Sequence, residues 1–229
     1  MKISTPDFLC ANFFMKNEPL EDVNTLPHVM PHQVHGKNII IVNDETFSKF
    51  ALPERPEADG ILLMTSKAEA SLRFADCAPI LIWGKNFAML LHSGYKGTVL
   101  NISGAGIELV NENVKYLHAW IGPCIGREIY CRDVNDEWTQ KGIKSFHREN
   151  YDYDEADGKI YFDLAGEIKS QLLDAGLDER NIMLTGINTY EDERCYSYRR
   201  GDKVKRMMLH VKINAVVEYN TLYFYDEKL

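Results

Sequence analysis

The sequence predicts an α+β fold with a mixed sheet and helices packed outside it, and three observations carry that expectation. Short apolar runs crowd residues 61–93, only two stretches space their apolar residues for a helix, and the strands cluster instead of alternating strictly with helices. With 229 residues, 45% of them hydrophobic, the chain can bury a sizeable core, and one domain over residues 1–229 is expected.

The first informative element is PHQVHGKNIIIV (31–42), where two histidines three apart precede an uninterrupted apolar run. In an extended chain successive side chains alternate faces, so Gln33 and His35 are expected on one face and His32 on the other. FSKFALPERPEADG (47–60), with Pro53 and Pro56, reads as a loop. ILLMT (61–65), ASLRFA (70–75), APILIWG (78–84) and FAMLLHS (87–93) read as adjacent core strands.

From Gly97 to about Asn113, the spacing of Val99, Ile102, Ala105, Leu109 and Val110 predicts one amphipathic helix. YLHAWIG (116–122) reads as a strand, and the acidic, aromatic stretch 147–161 as a surface excursion. FDLAGEIKSQLLDAGL predicts a helix capped by Asp163, with Leu164, Ile168 and Leu172 on one face and Gly176 as its stop. NIMLTGI (181–187) and MMLHVKI (207–213) complete the strands.

A net charge of −8 argues against a nucleic-acid or anionic-membrane surface, so an anionic substrate would need a local basic cluster. Residues 1–30 lack a charged start followed by a long apolar core, and no run approaches the roughly 20 apolar residues of a bilayer span. A cytoplasmic location follows as the expectation. Five scattered cysteines, Cys10, Cys77, Cys124, Cys131 and Cys195, predict reduced thiols instead of a disulfide scaffold.

QVHG, FADCAPI and LLHSGYKG each place a potential metal ligand beside a glycine or at a strand end: His35, Cys77 and His92. Their separations match no zinc-finger spacing, so by pattern alone Cys77 reads first as a small buried hydrophobe and His92 as a core histidine. Taken in order, QVHG, ADG (58–60), ADCAPI (75–80), HSGYKG (92–97), IGPCIG (121–126), FDL (162–164) and CYSYRR (195–200) resemble the motifs of the laccase-domain family, also called the purine nucleoside phosphorylase or peptidoglycan editing factor family. The match covers about residues 31–213, leaving a C-terminal extension at 214–229.

This resemblance implies a single α/β/β/α sandwich with mixed sheets and a zinc ion held by His35, Cys77 and His92. It also implies phosphorolysis of adenosine, inosine or methylthioadenosine, with possible adenosine deamination, in a monomer or homodimer that takes a purine nucleoside and phosphate. Three protein ligands suit a catalytic ion, because the fourth tetrahedral position stays open. Lys96, Arg199 and Arg200 are candidates for the phosphate. Asp76 is the candidate for proton transfer, or else a carboxylate that orients a metal-bound histidine. Gln33 and Asp59 are candidates for substrate contact, although Asp59 also reads as a turn residue. Cys124 reads as pocket lining.

A non-enzymatic metal-binding or partner-binding protein with a vestigial pocket is one alternative, and two enzymatic readings also compete. One is a laccase-like polyphenol oxidase using copper, which binds His and Cys ligands tightly, although none of the seven histidines forms the His-x-His pairs of a multicopper cluster. The other is a cysteine hydrolase or editing enzyme acting on a nucleotide-linked cell-wall precursor, with Cys77 as nucleophile and His92 as base. The chain departs from the family pattern near the pocket, with Tyr95-Lys96 where Trp-Arg is usual and Phe74 where a threonine is usual.

Overall fold

The computed structural model describes residues 1–20, 23–51 and 55–214. The C-terminal extension expected at 214–229 lies outside the described residues, save for Asn214. In chain order the elements are β1 (Leu9–Phe14), β2 (His28–Val29), β3 (Ile39–Val42), α1 (Phe47–Phe50), β4 (Gly60–Leu63), β5 (Glu69–Phe74), β6 (Ala78–Trp83) and β7 (Ala88–Ser93). They continue with α2 (Tyr95–Val99), α3 (Ile102–Ile107), β8 (His118–Ile121), β9 (Cys131–Asp133), α4 (Glu137–Ser145), β10 (Tyr151–Asp154), β11 (Lys159–Phe162), α5 (Leu164–Asp174), β12 (Ile182–Leu184) and β13 (Met207–Ile213).

The strands form a six-stranded mixed sheet, β12-β8-β6-β7-β4-β3, a four-stranded sheet, β1-β13-β5-β2, and a small three-stranded sheet, β10-β11-β9. Alternation along the strands explains the layers. Ile61, Leu63, Leu81, Trp83, Leu90 and Trp120 face the four-stranded sheet, where Phe13, Leu72, Phe74 and Leu209 meet them. Their neighbours Leu62, Ile80, Ile82, Met89, Leu91 and Ile121 face the other way, onto Ile102 and Ile107 of α3 and Ile168 and Leu172 of α5. Strands buried on both faces read as continuous apolar runs, which is why residues 61–93 looked so dense.

The helix expected from Gly97 to about Asn113 is two short helices. Asn101 takes a left-handed conformation (φ 53°) between them and caps α3 by accepting a hydrogen bond from Gly104 N. Asparagine tolerates that conformation and serves well as a cap, so the break outweighs the apolar spacing. The helix expected after Asp163 forms as α5, with Asp163 accepting from Gly166 N and Gly176 at φ 99° just beyond it.

The 147–161 excursion is β10 and the start of β11, paired antiparallel in register Tyr151↔Phe162 to Asp154↔Lys159. With α4 it forms a lobe around Tyr95, Ile125, Phe146, Ile160 and Phe162. Ile160 and Phe162 of β11 are buried with Tyr151 packed against them, so it is more than a surface loop. Within the stretch read as a loop at 47–60, Phe47–Phe50 makes the single turn α1.

Candidate metal and active site

The register brings the candidate ligands to one end of the six-stranded sheet. Cys77 immediately precedes β6, and the antiparallel partner β7 carries His92 opposite Pro79. Asp59 immediately precedes β4, which also runs antiparallel to β7, and His92 N donates to Asp59 O at 2.7 Å. β3 runs parallel to β4, so His35, four residues ahead of it, enters at the same end.

One ligand atom from each of His35, Cys77 and His92 lies within 4.8 Å of the others, and among the described residues this is the one such group that could hold a metal ion. Two features of the backbone make room for it. His35 turns inward at φ 61° and Asp76 at φ 81°; the other described non-glycine residues at positive φ are all asparagines, which tolerate it better. At Gly94 a Cβ would come within 2.8 Å of Cys77 Sγ and 3.1 Å of the His35 ring, so only glycine fits beside the ligands.

His92 is buried, and its Nδ1 is 2.8 Å from Asp59 Oδ1. The Asp59 carboxylate also accepts from the backbone N–H groups of Val34, His35 and Gly36, so one buried side chain holds both the His35 turn and the His92 ring. A carboxylate on Nδ1 leaves Nε2 as the ligand nitrogen. Burial pushes the Cys77 thiol up, but the His92 charge and hydrogen bonds from His35 and His92 outweigh it and bring it down to about 6. Burial likewise pushes His92 down, but the Cys77 thiolate and Asp59 outweigh it and raise it to about 9.

The group opens onto a cavity of about 730 Å³, which Gln33, Asp76, Lys96 and Arg199 also line. Gln33 spends both ends of its amide on the Arg73 backbone, donating to O and accepting from N at 2.8 Å. Asp76 accepts from Thr189 Oγ1 and Arg199 N, each at 2.7 Å, and so ties residues 189–199 to the ligand loop. Lys96 Nζ lies 4.9 Å from the centre of the Trp138 ring, and Arg199 reaches Ile129 O and lies over Tyr130.

Three expectations are corrected by this placement. Asp59 is fully buried and does not line the cavity, so it is the residue that orients the histidine, the position for which Asp76 was considered. Arg200 is also outside the cavity; its guanidinium donates to the carbonyls of Thr189, Tyr190, Asp192 and Cys195, closing the 189–202 loop. His32 lines the cavity instead of pointing away, because the left-handed turn at His35 breaks the alternation assumed for an extended chain.

Cys124 packs in the core under the helices while its neighbour Ile125 lines the cavity, and burial pushes its thiol up to about 12. Sequence reasoning passed over Arg73, Tyr130, Arg132, Tyr198 and Arg206, which all line the cavity. Arg73 had left one signal, a charge inside the otherwise apolar ASLRFA.

The α+β sandwich gathers two imidazoles and a thiol, a group that could hold a metal ion, at the floor of a cation-lined cavity. The chain belongs to the multi-copper polyphenol oxidoreductase laccase family, whose model matches residues 17–214. It is 30% identical over 181 residues to a protein of Aquifex aeolicus named purine nucleoside phosphorylase, covering 79% of each chain. A protein of the same name from Xylella fastidiosa is 26% identical over 186 residues, covering 77% of this chain and 68% of the relative. Among solved structures, YlmD from Geobacillus stearothermophilus superposes with a TM-score of 0.73 at 25% identity, over 82% of this chain and 74% of that one. YfiH from Bacillus licheniformis gives 0.78 at 21% identity, over 90% and 93%, and shows the same fold. Among the described residues no helix is long and apolar enough to cross a membrane.

Proposed function

We propose that the protein is a zinc-dependent purine nucleoside phosphorylase acting on adenosine, inosine or methylthioadenosine, with adenosine deamination as a second reaction at the same site. The observation that carries this reading is the convergence of His35, Cys77 and His92 within 4.8 Å of one another at the floor of a 730 Å³ cavity. Two neutral imidazoles and a thiolate are a donor set that zinc takes readily, and they leave one tetrahedral position free. When bound, the ion supplies Lewis acidity at the cavity floor.

Phosphorolysis joins a phosphate oxygen to the ribose C1′ and breaks the C1′–N9 bond, and the departing purine takes up a proton. Lys96 and Arg199 are the cations assigned to the phosphate. Arg200 leaves that role, since its N–H groups are spent on carbonyls. Asp76 is the carboxylate that lines the cavity, and each of its oxygens keeps a lone pair beyond the bonds from Thr189 and Arg199, so it is assigned the proton. Tyr130 and Tyr198 offer aromatic faces for the base.

Copper oxidation by a cluster would need several more histidines near the site. Of the other five only His32 lines the cavity; His28 bonds Asn24 and Ser71, His118 stacks on Trp83, His147 meets Glu167 and Asp174, and His210 faces Glu69. The cysteine-hydrolase reading has one observation in its favour: Asp59, His92 and Cys77 run as carboxylate, imidazole and thiolate, the order of an activated nucleophile.

Incubation with adenosine, inosine and methylthioadenosine, with and without phosphate, followed by mass identification of products, tests the proposal. Free base formed only with phosphate, lost on chelation and restored by Zn²⁺, supports it; inosine formed from adenosine marks deamination. Activity that survives chelation but not alkylation makes it a cysteine hydrolase, and several coppers per purified chain an oxidase.

A further inference from the structure

Five cations and one carboxylate line the cavity of a chain whose net charge is −8. The cations fall into two groups on different elements. Lys96, Arg132 and Arg199 stand on the aromatic side, over Trp138, Tyr95 and Tyr130 respectively, and Arg132 is already paired with Asp136. Arg73 lies near the end of β5 in the four-stranded sheet, and Arg206 immediately precedes β13, whose Met207 pairs with Phe74 of β5.

No acid among the described residues forms an ion pair with Arg73 or Arg206. Partial burial and the charges of Arg55 and Arg206 push the Arg73 guanidinium below its ordinary value. Arg206 donates to the carbonyls of Asp202, Lys203 and Lys205, which fixes its guanidinium and leaves further N–H groups free. Gln33 bonds both the N–H and the carbonyl of Arg73, which fixes the backbone from which its side chain reaches the cavity. Like charges kept together on a cavity wall without a counter-charge are favoured by an anion that completes them.

One inorganic phosphate on Lys96 and Arg199 leaves this second wall unsatisfied. We propose that Arg73 and Arg206 form a second anion subsite, which holds the phosphate ester of a nucleoside 5′-phosphate whose base lies in the same cavity. The proposal rests on the purine reading of the site and extends its ligands from nucleosides to nucleotides. Two guanidinium forks match phosphate oxygens better than a single point charge would.

Calorimetry on the zinc-loaded full chain with AMP, adenosine and inorganic phosphate tests it. AMP is expected to bind at least about tenfold tighter than adenosine, with the gap shrinking as salt rises. The double variant Arg73→Gln/Arg206→Gln is expected to erase that gap and leave adenosine affinity unchanged. The single variant Arg73→Gln, at an exposed side chain, is expected to show part of the loss even if the double variant folds poorly. Equal affinity of the wild type for AMP and adenosine overturns the subsite. So does a double variant that weakens both ligands alike, or one that loses inorganic phosphate while keeping the preference for AMP. Adenosine phosphorolysis with no preference for AMP sinks the subsite alone. AMP binding through these arginines without any turnover of nucleosides sinks the phosphorylase reading and keeps the subsite.

Discussion

The end of the six-stranded sheet and the 127–162 lobe both shape the cavity, but they hold their functional side chains by different means. At the sheet end, strand register, a buried carboxylate and two left-handed residues set ligand positions that tolerate little error. In the lobe, aromatic packing does the positioning: Tyr95, Phe146, Tyr151 and Phe162 form a ring cluster, and Lys96 and Arg132 lie over aromatic faces. Metal coordination demands fixed atoms, whereas recognition of a flat base and a charged group is met by several side-chain combinations. The replacement of the family's usual Trp-Arg by Tyr95-Lys96 falls on the lobe side, consistent with that freedom.

The largest expected effect is at the sheet end. Cys77→Ala removes one of the three proposed ligands, and metal analysis of the purified variant should find none bound, with turnover abolished. If the variant keeps its metal, the ligand assignment fails. In the lobe, Phe162→Ala should cost about 3–5 kcal/mol in denaturant unfolding, because the fully buried ring touches Tyr95, Phe146 and Tyr151. A loss below about 1 kcal/mol would show that the lobe packs too loosely to hold a wall.

Next comes Asp59→Asn, which keeps the size of the side chain but disturbs the bond to His92 Nδ1; competition with a chelator should show metal affinity lower by roughly 10–100-fold. An unchanged affinity would mean that register alone orients the ring. The smallest effect separates the two regions by pH. At His147 partial burial pushes the pKa down, but Glu167 and Asp174 outweigh it and raise it, so its contribution is complete below the unfolded value of 6.5. That contribution is lost as pH rises through the folded value. With the side chain a third exposed, the difference should stay under about 1 kcal/mol, and His147→Gln should remove it from the pH dependence of melting.

Legibility followed the same division. The core strands and the helix after Asp163 could be read because apolar runs, a capping aspartate and a terminal glycine are local signals. α4 and the β10–β11 pairing were not read: the nine residues of α4 carry few apolar side chains, and the acidic, tyrosine-rich β10–β11 stretch resembles a loop until its buried face is seen. β1 was missed as well; it gains its place by pairing with β13, almost 200 residues later in the chain.

Within the site, the identities of His35, Cys77 and His92 as candidate ligands came from the motifs, but the roles of the two aspartates could not. Asp59 and Asp76 both sit in short motifs beside glycine or cysteine, and nothing local distinguishes the one that grips His92 from the one that ties down residues 189–199. By itself the chain determined its class of fold, because periodicity is a property of neighbours in sequence, and its ordered motifs, through their resemblance to a family, pointed to the residues able to hold a metal. Only the tertiary structure decided which carboxylate meets which histidine and that Arg73 and Arg206 share one wall, because hydrogen bonds and charge clusters depend on distances between segments that sequence spacing leaves open.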